Sequence, residues 1–248
     1  IYITDISHFL MSFRTFMYLF QMFERRNMIH VHGLWTPLIN VGAVVGLVRG
    51  CFVVWQPRGC LEPWCFRQKR IKKLLAWAVY QRLILGRADR VIATSELERQ
   101  NLSSRLKRTD IDLVPNVVVP EYVTELSSSE RSRQFLYLGR LHPKKGVDVL
   151  LDAWVIAKLK GWMLIIAGEG SDVFERSLRA KIETSGIGSS VEFVGDIRGE
   201  SKSKIFSESR FFVLPTHSEN FGRVILEAIQ FGVPPIVTPE SSWGFLKD

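Results

Sequence analysis

The chain alternates short apolar runs with longer stretches in which apolar residues recur every three or four positions. Runs at 28–32, 51–55, 90–94 and 111–115, and then at 135–138, 162–168, 191–195, 211–214 and 234–238, have the length and the β-branched or aromatic content of strands. Between them the spacing predicts helices over 37–48, 64–85, 95–106, 147–159, 173–184, 201–209 and 224–229. Local signals support several of these. Pro63 suits a first helical turn and Gly86 a helix end, while Ser95 followed by Glu98 has the form of a capping box. Leu10, Phe13, Phe16, Met17, Phe20 and Phe23 recur near helical spacing, so 9–23 reads as a further core-facing helix. Strand and helix alternating this regularly predict the α/β class, with parallel sheets covered on both faces. Residues 120–133 are serine-rich and polar with no apolar period. The expected organisation is therefore a lobe at 1–118, a linker at 119–133 and a second lobe at 134–248, each a doubly wound, Rossmann-like parallel sheet, facing one another across a cleft.

Composition narrows the class. With 248 residues, 46% of them hydrophobic and 23% charged, the chain is too apolar to be disordered and long enough for two modest cores. The apolar run at 38–48 is interrupted by Asn40, Gly42 and Gly46 and is far short of a membrane span. Residues 9–23 contain Arg14 and no small-residue cleavage site, which argues against a signal peptide. Cys51, Cys60 and Cys65 are odd in number and lack zinc spacing, so a reduced cytoplasmic protein is expected. The net charge of +8 and the run RQKRIKK at 67–73, five cations in seven residues, call for an anionic partner or a solvated helix start. The run leads into an apolar stretch with Trp77 and Tyr80, which suits an anionic membrane surface or a lipid-linked ligand, peripherally at the inner face of the membrane. Nucleic acid ranks last, since the usual binding motifs are missing from the sequence.

Candidate chemistry concentrates at 211–228, FFVLPTHSENFGRVILEA. A buried strand ends at Pro215, the cap-type or acidic residues Ser218, Glu219 and Asn220 follow, and a helix begins. Its first amides suit a phosphate oxygen, at the strand-to-helix edge where open α/β sheets bind ligands. Glu227 falls about two turns beyond Glu219 at 3.6 residues per turn. By itself such a pair reads more readily as two solvated surface charges. GRLHPKKG at 139–146 places the fork of Arg140 and the mobile charge of Lys145 after another strand. By itself that motif is an ordinary basic turn, since Gly139, Pro143 and Gly146 are good turn formers. His30 and His32 end a strand, and of the two only His32, with Gly33, is expected to face the cleft, His30 taking a core or capping role. His142 and His217 lie in the donor-side loops with no role assigned. Asp110 and Asp112 match a metal-binding Asp-x-Asp pattern but precede a strand instead of ending one, so a loop is expected and no metal is implied. Gly42 and Gly46 are expected to let a helix pack closely on the sheet.

Ser218-Glu219-Asn220-Phe221-Gly222 followed by Glu227-Ala228 resembles the donor-site signature of the retaining glycosyltransferases of family 4, and 135–146 resembles the same family's phosphate-contacting segment. HVHGLWTP at 30–37, PRGCLEPWCFRQKRIKK at 57–73, ATSELE at 93–98 and VPN at 114–116 resemble the N-terminal lobe of its polysaccharide-assembly branch. The resemblance implies a GT-B fold and transfer of a hexose from a nucleoside-diphosphate sugar to a saccharide or lipid-linked acceptor, with retention and without metal or other cofactor. It assigns Arg140 and Lys145 to the leaving diphosphate, Glu219 to the donor sugar and Glu227 to the ribose hydroxyls. Gly139, Ser218, Asn220, Phe221 and Gly222 would line the donor site, with Asp196 and Ile197 near the base. Many relatives carry an active-site histidine in the loop that here reads Gln56-Pro57-Arg58-Gly59, so Arg58, with His32 and Gly33, is the acceptor-side candidate. A nucleotide-sugar epimerase or phosphorylase of the same fold, or a catalytically silent nucleotide-sugar-binding fragment, are the alternative readings. Family members begin with a further strand and glycine-rich turn, and this chain opens on Ile1, so it is expected to be a fragment.

Overall fold

The structure, a computed structural model, describes residues 13–118, 131–239 and 241–243. Leu10 and most of the expected linker lie outside them. The chain divides into two compact units, Ile1–Pro115 and Asn116–Asp248, each with its own sheet.

The first unit runs α1 (Phe13–Met22), β1 (Met28–His32), α2 (Pro37–Val48), β2 (Phe52–Gln56), α3 (Pro63–Arg67), α4 (Arg70–Ala76), a π-helical turn (Trp77–Gln81), α5 (Arg82–Gly86), β3 (Arg90–Ala93), α6 (Glu96–Leu106) and β4 (Ile111–Leu113). Its four strands are parallel in the order β1-β2-β3-β4. Val53, Trp55, Val91 and Ala93 are fully buried, as strands covered on both faces must be. The Trp55 indole donates to Gly33 O at 2.7 Å, so its one polar atom is satisfied in the core; truncation to alanine would cost about 3–5 kcal/mol. Gly46 presses α2 onto the sheet as expected: a Cβ there would lie 2.5 Å from Ile29 Cδ1. The single helix predicted over 64–85 is instead broken at Gln68 and Lys69, and Lys69 sits in the left-handed region with φ 52°. No glycine or proline marks that break, which is why periodicity misses it.

The second unit runs β5 (Ser132–Leu138), a 3-10 turn (Pro143–Lys145), α7 (Val147–Ala157), β6 (Met163–Ala167), α8 (Asp172–Thr184), β7 (Val191–Gly195), α9 (Gly199–Glu208), β8 (Ser209–Leu214), α10 (Arg223–Gln230) and β9 (Pro235–Val237). All five strands are parallel in the order β7-β6-β5-β8-β9. Leu136, Leu164, Ile166, Phe212 and Leu214 on the sheet, with Leu151, Ile225 and Ala228 on the helices, have no exposed surface. Chain order reverses between β5 and β8. The loops leaving those two strands therefore diverge around a crevice, the place where doubly wound sheets hold ligands.

Candidate donor site at the strand ends of the second unit

Five loops meet at this edge, and glycines set how closely. Gly146 has φ 68°, and a Cβ on it would lie 1.9 Å from Pro215 O, so the loop after β5 can touch the loop after β8 only because residue 146 lacks a side chain. The contact is bonded: Thr216 Oγ1 and His217 N donate to Lys144 O at 3.1 and 2.9 Å. Gly168 and Gly170, in the stretch after β6, do the same against Gly139 O and Leu141 O, where a Cβ would come within 2.0 and 2.2 Å. These contacts bring together a cleft of about 920 Å³, lined by Gly139, Arg140, Lys145, Asp196, Ile197, Asn220, Phe221, Gly222, Glu219 and Glu227 among others. That is the size range of small-molecule sites.

Stitching Lys144 to the β8 loop carries the next residue with it. Lys145 Nζ is in an ion pair with Glu219 Oε2, both side chains retaining only 16% and 14% of their exposure. A second pair lies further in: Lys202 of α9 binds Glu227 Oε2 at 2.9 Å. Arg140 is exposed and has no ion-pair partner among the described residues. Its carbonyl accepts from the buried Tyr137 hydroxyl at 2.9 Å, and burial, then the Glu219 charge, raises that phenol well above its ordinary value, so it stays a donor. Burial, then Arg140 and the neighbouring lysines, holds His142 below its ordinary value, and its Nδ1 accepts from Lys144 N at 3.0 Å.

The helix after the β8 loop starts at Arg223, one residue before the predicted 224. Gly222, with φ 69°, is the residue before α10 and caps it without a side chain, so Glu227 is the fifth residue of the helix, about one turn in. Asn220 to Gly222 precede the helix, and a Cβ at Gly222 would lie 2.8 Å from Ile225 Cδ1. Ser218 is buried behind the loop and is not part of the lining. Asp196 pairs with Arg198 at 2.7 Å near the surface.

Two contributors escape the sequence reading. Lys202 carries only the weak signal of a lysine one turn into a helix that follows the Asp196 loop. Trp243 lies beyond β9; its indole donates to Phe221 O, and its ring meets Phe221 edge-on at 6.2 Å. Ser242 N donates to Glu219 O at 3.3 Å. Together these hold the Glu219 loop from its far side.

In the first unit, His30 and His32 lie side by side, ring centroids 4.1 Å apart. This corrects the expectation that His32 alone is presented, because residues i and i+2 of a strand share a face. Gly33 has φ 85° and its N–H donates to Gln56 O at 3.0 Å. Ser95 caps α6 through Glu98 N at 3.2 Å, but the Glu98 carboxylate reaches Thr94 N, Thr94 Oγ1 and Gly59 N, where a capping box would reach Ser95 N. Asp112 lies within β4 near Arg90 at 3.9 Å, and Asp110 pairs with Arg108 at 2.7 Å.

Two parallel-sheet α/β units, the second with paired lysines and glutamates at its switch point, define the architecture of GT-B glycosyltransferases. The chain belongs to the family described as glycosyl transferases group 1, whose model matches residues 118–243, and the model of glycosyltransferase family 4 matches residues 3–122. It is 27% identical over 224 residues to a GDP-mannose:cellobiosyl-diphosphopolyprenol alpha-mannosyltransferase of Xanthomonas oryzae, covering 86% of this chain and 56% of that protein. It is 29% identical over 173 residues to D-inositol 3-phosphate glycosyltransferase of Mycolicibacterium smegmatis, covering 64% and 39%. The chain thus spans about half the length of the curated relatives it matches. Two solved structures share the fold: Anabaena HepE in complex with UDP and glucose (TM-score 0.72, 19% identity, 89% of this chain and 61% of that one), and sucrose-phosphate synthase of Thermosynechococcus elongatus (TM-score 0.70, 22% identity, 88% and 57%).

Proposed function

We propose that this chain carries the donor site of a retaining, metal-independent glycosyltransferase that moves a hexose from a nucleoside-diphosphate sugar to a saccharide or lipid-linked acceptor. The observation that carries the reading is the pairing of Lys145 with Glu219 and of Lys202 with Glu227 at the strand ends, beside Arg140, which has no ion-pair partner among the described residues. When the anomeric C–O bond breaks, its electrons leave with the diphosphate. Arg140 and Lys145 then meet the growing charge, while the amides of Arg223 and Val224 at the start of α10 suit an oxygen. A carboxylate only accepts hydrogen bonds, so Glu219 and Glu227 suit vicinal hydroxyls of sugar and ribose. Lys145 must exchange Glu219 for phosphate as the donor enters, which frees Glu219 for the sugar at the same moment. Relatives named for transfer from GDP-mannose and a fold neighbour solved with UDP support a nucleotide donor. Retention follows from the family resemblance. A screen of UDP- and GDP-sugars by thermal stabilisation, followed by turnover with saccharide and lipid-linked acceptors, tests this. Turnover should survive EDTA; stabilisation without turnover supports the binding fragment, and release of an epimerised nucleotide sugar supports the epimerase.

The same reading extends to a peripheral membrane contact. Ile71, Leu75, Val79 and Leu83 recur every four residues along α4, the π turn and α5 with 76, 61, 69 and 55% of their surface exposed, next to the cations of 67–73. No helix of the described residues is long and apolar enough to cross a membrane. An exposed apolar stripe beside basic residues suits an anionic lipid surface. Cosedimentation with phosphatidylglycerol vesicles that weakens with salt and in Ile71→Ser/Leu75→Ser is the expected result, and no binding at low salt would contradict it.

A further inference from the structure

The strand ends of the first unit carry a group of side chains that the donor site does not use. Arg58 is exposed, with φ 54°, a left-handed conformation that non-glycine residues rarely adopt. It is held there from outside. The next residue, Gly59, donates its N–H to the carboxylate of Glu98, only 2% exposed, which also accepts from Thr94 N and Thr94 Oγ1 at 2.8 and 2.9 Å. Glu98 is therefore engaged by three donors, and Arg58 has no ion-pair partner among the described residues. His32 pairs with Gln56 across the parallel β1–β2 ladder, so Arg58, two residues past Gln56, follows the same strand ends as the two imidazoles, whose ring centroids lie 4.1 Å apart. Burial and then Arg58 hold His30 below its ordinary value, and burial, His30 and Arg58 do so for His32. The Nδ1 of His32 is buried and has no hydrogen-bond partner among the described residues. Buried polar atoms are normally satisfied, and backbone strain persists where surrounding structure enforces it for use.

We propose that His30, His32 and Arg58 form a binding site for a phosphate group, carried by the acceptor. A guanidinium offers paired donors to phosphate oxygens, and each imidazole adds an N–H and can take up a proton beside a dianion. Three donor groups from two segments match a tetrahedral oxyanion better than a planar carboxylate. The inference rests on the transferase reading only in assigning the phosphate to the acceptor, because that reading assigns the donor diphosphate to the other unit.

The test is imidazole NMR on the 248-residue chain, titrated at constant ionic strength with inorganic phosphate, a soluble sugar phosphate, and a short-chain prenyl phosphate in micelles. Inorganic phosphate and at least one organic phosphate should shift the His30 and His32 signals. In Arg58→Gly the apparent affinity should fall tenfold or more, while the melting temperature holds or rises because glycine suits the left-handed backbone. Tighter binding of the prenyl compound would identify a lipid-linked acceptor, and tighter binding of the sugar phosphate a soluble one. UDP addition, read at His142, reports the donor site separately, so loss of either site is distinguishable from loss of the other. Unmoved His30 and His32 signals, equal shifts from chloride, or unchanged affinity in Arg58→Gly would overturn the proposal.

Discussion

In the second unit both half-buried lysines of the cleft end on carboxylates, whereas in the first unit the guanidinium of Arg58 ends on none among the described residues. The difference lies in what the nearest acids are bound to. Glu219 and Glu227 each meet a lysine, while Glu98 meets two backbone N–H groups and a hydroxyl. A cleft with its own counterions keeps its cations compact and partly dry until a ligand exchanges partners with them; breaking such a pair by removing one member leaves a charge poorly solvated. A strand end where Glu98 is already engaged by three donors keeps its positive charge for what arrives. Both sites are built at the carboxyl ends of parallel strands, and local hydrogen bonding, more than fold, sets their different chemistry.

The largest effects should come from the cations of the cleft. Arg140→Ala and Lys145→Ala should each lower kcat/KM by roughly 10²–10³, about 2.7–4 kcal/mol, the scale of one preorganised charge. The double variant should cost clearly less than the sum, since both act on one leaving group. Fully additive losses in steady-state release of nucleoside diphosphate would separate the two residues and break the picture of a shared clamp.

Next comes the close approach that builds the cleft. Gly146→Ala combines a left-handed backbone with a Cβ 1.9 Å from Pro215 O and should lower stability by about 3 kcal/mol, or roughly 6–12 °C in melting temperature. Gly186→Ala is the control: φ is 66° but a Cβ there meets nothing within 4 Å, so only the backbone cost of about 1 kcal/mol remains. Equal losses in a thermal melt would show that contact between the β5 and β8 loops does not matter.

These elements differ in how readily the sequence discloses them. Strands such as 191–195 are legible because a parallel strand buried on both faces leaves a continuous apolar run, and the donor loops because their glycines and charges sit at fixed offsets from those runs. The break at Lys69 was not legible. Lys73 donates to Cys65 O across the break, eight residues back, and lies 5.4 Å from the ring of the distant Trp35, contacts that helical periodicity does not encode. Lys202, Trp243 and the cross-link through Glu98 escape for the same reason: each is defined by its partner in another loop. The side-by-side histidines could have been found, since the period of two already places residues 30 and 32 on one face.

The smallest effect is a pH dependence that sharpens the contrast between the units. His30 and His32 are held below their ordinary value near 6.5, so the unfolded chain binds protons more readily than the folded one in this range. Their contribution to stability is present above about pH 6.5 and is lost as pH falls through the lower folded values. His142 contributes with the same sign. Melting temperature should therefore drop between pH 7 and 5.5, and the drop should shrink in His32→Asn; an unchanged slope would remove His32 from that electrostatic group.

The account turns on the charge exchange at Glu219 and Lys145, and calorimetric titration with UDP and GDP tests it most directly. For the nucleoside diphosphate that binds, Glu227→Ala should weaken affinity about tenfold or more, because a ribose contact is lost. Glu219→Gln should leave affinity equal or tighten it, because Lys145 no longer has to leave a carboxylate. Unchanged affinity in Glu227→Ala together with a large loss in Glu219→Gln would contradict the account.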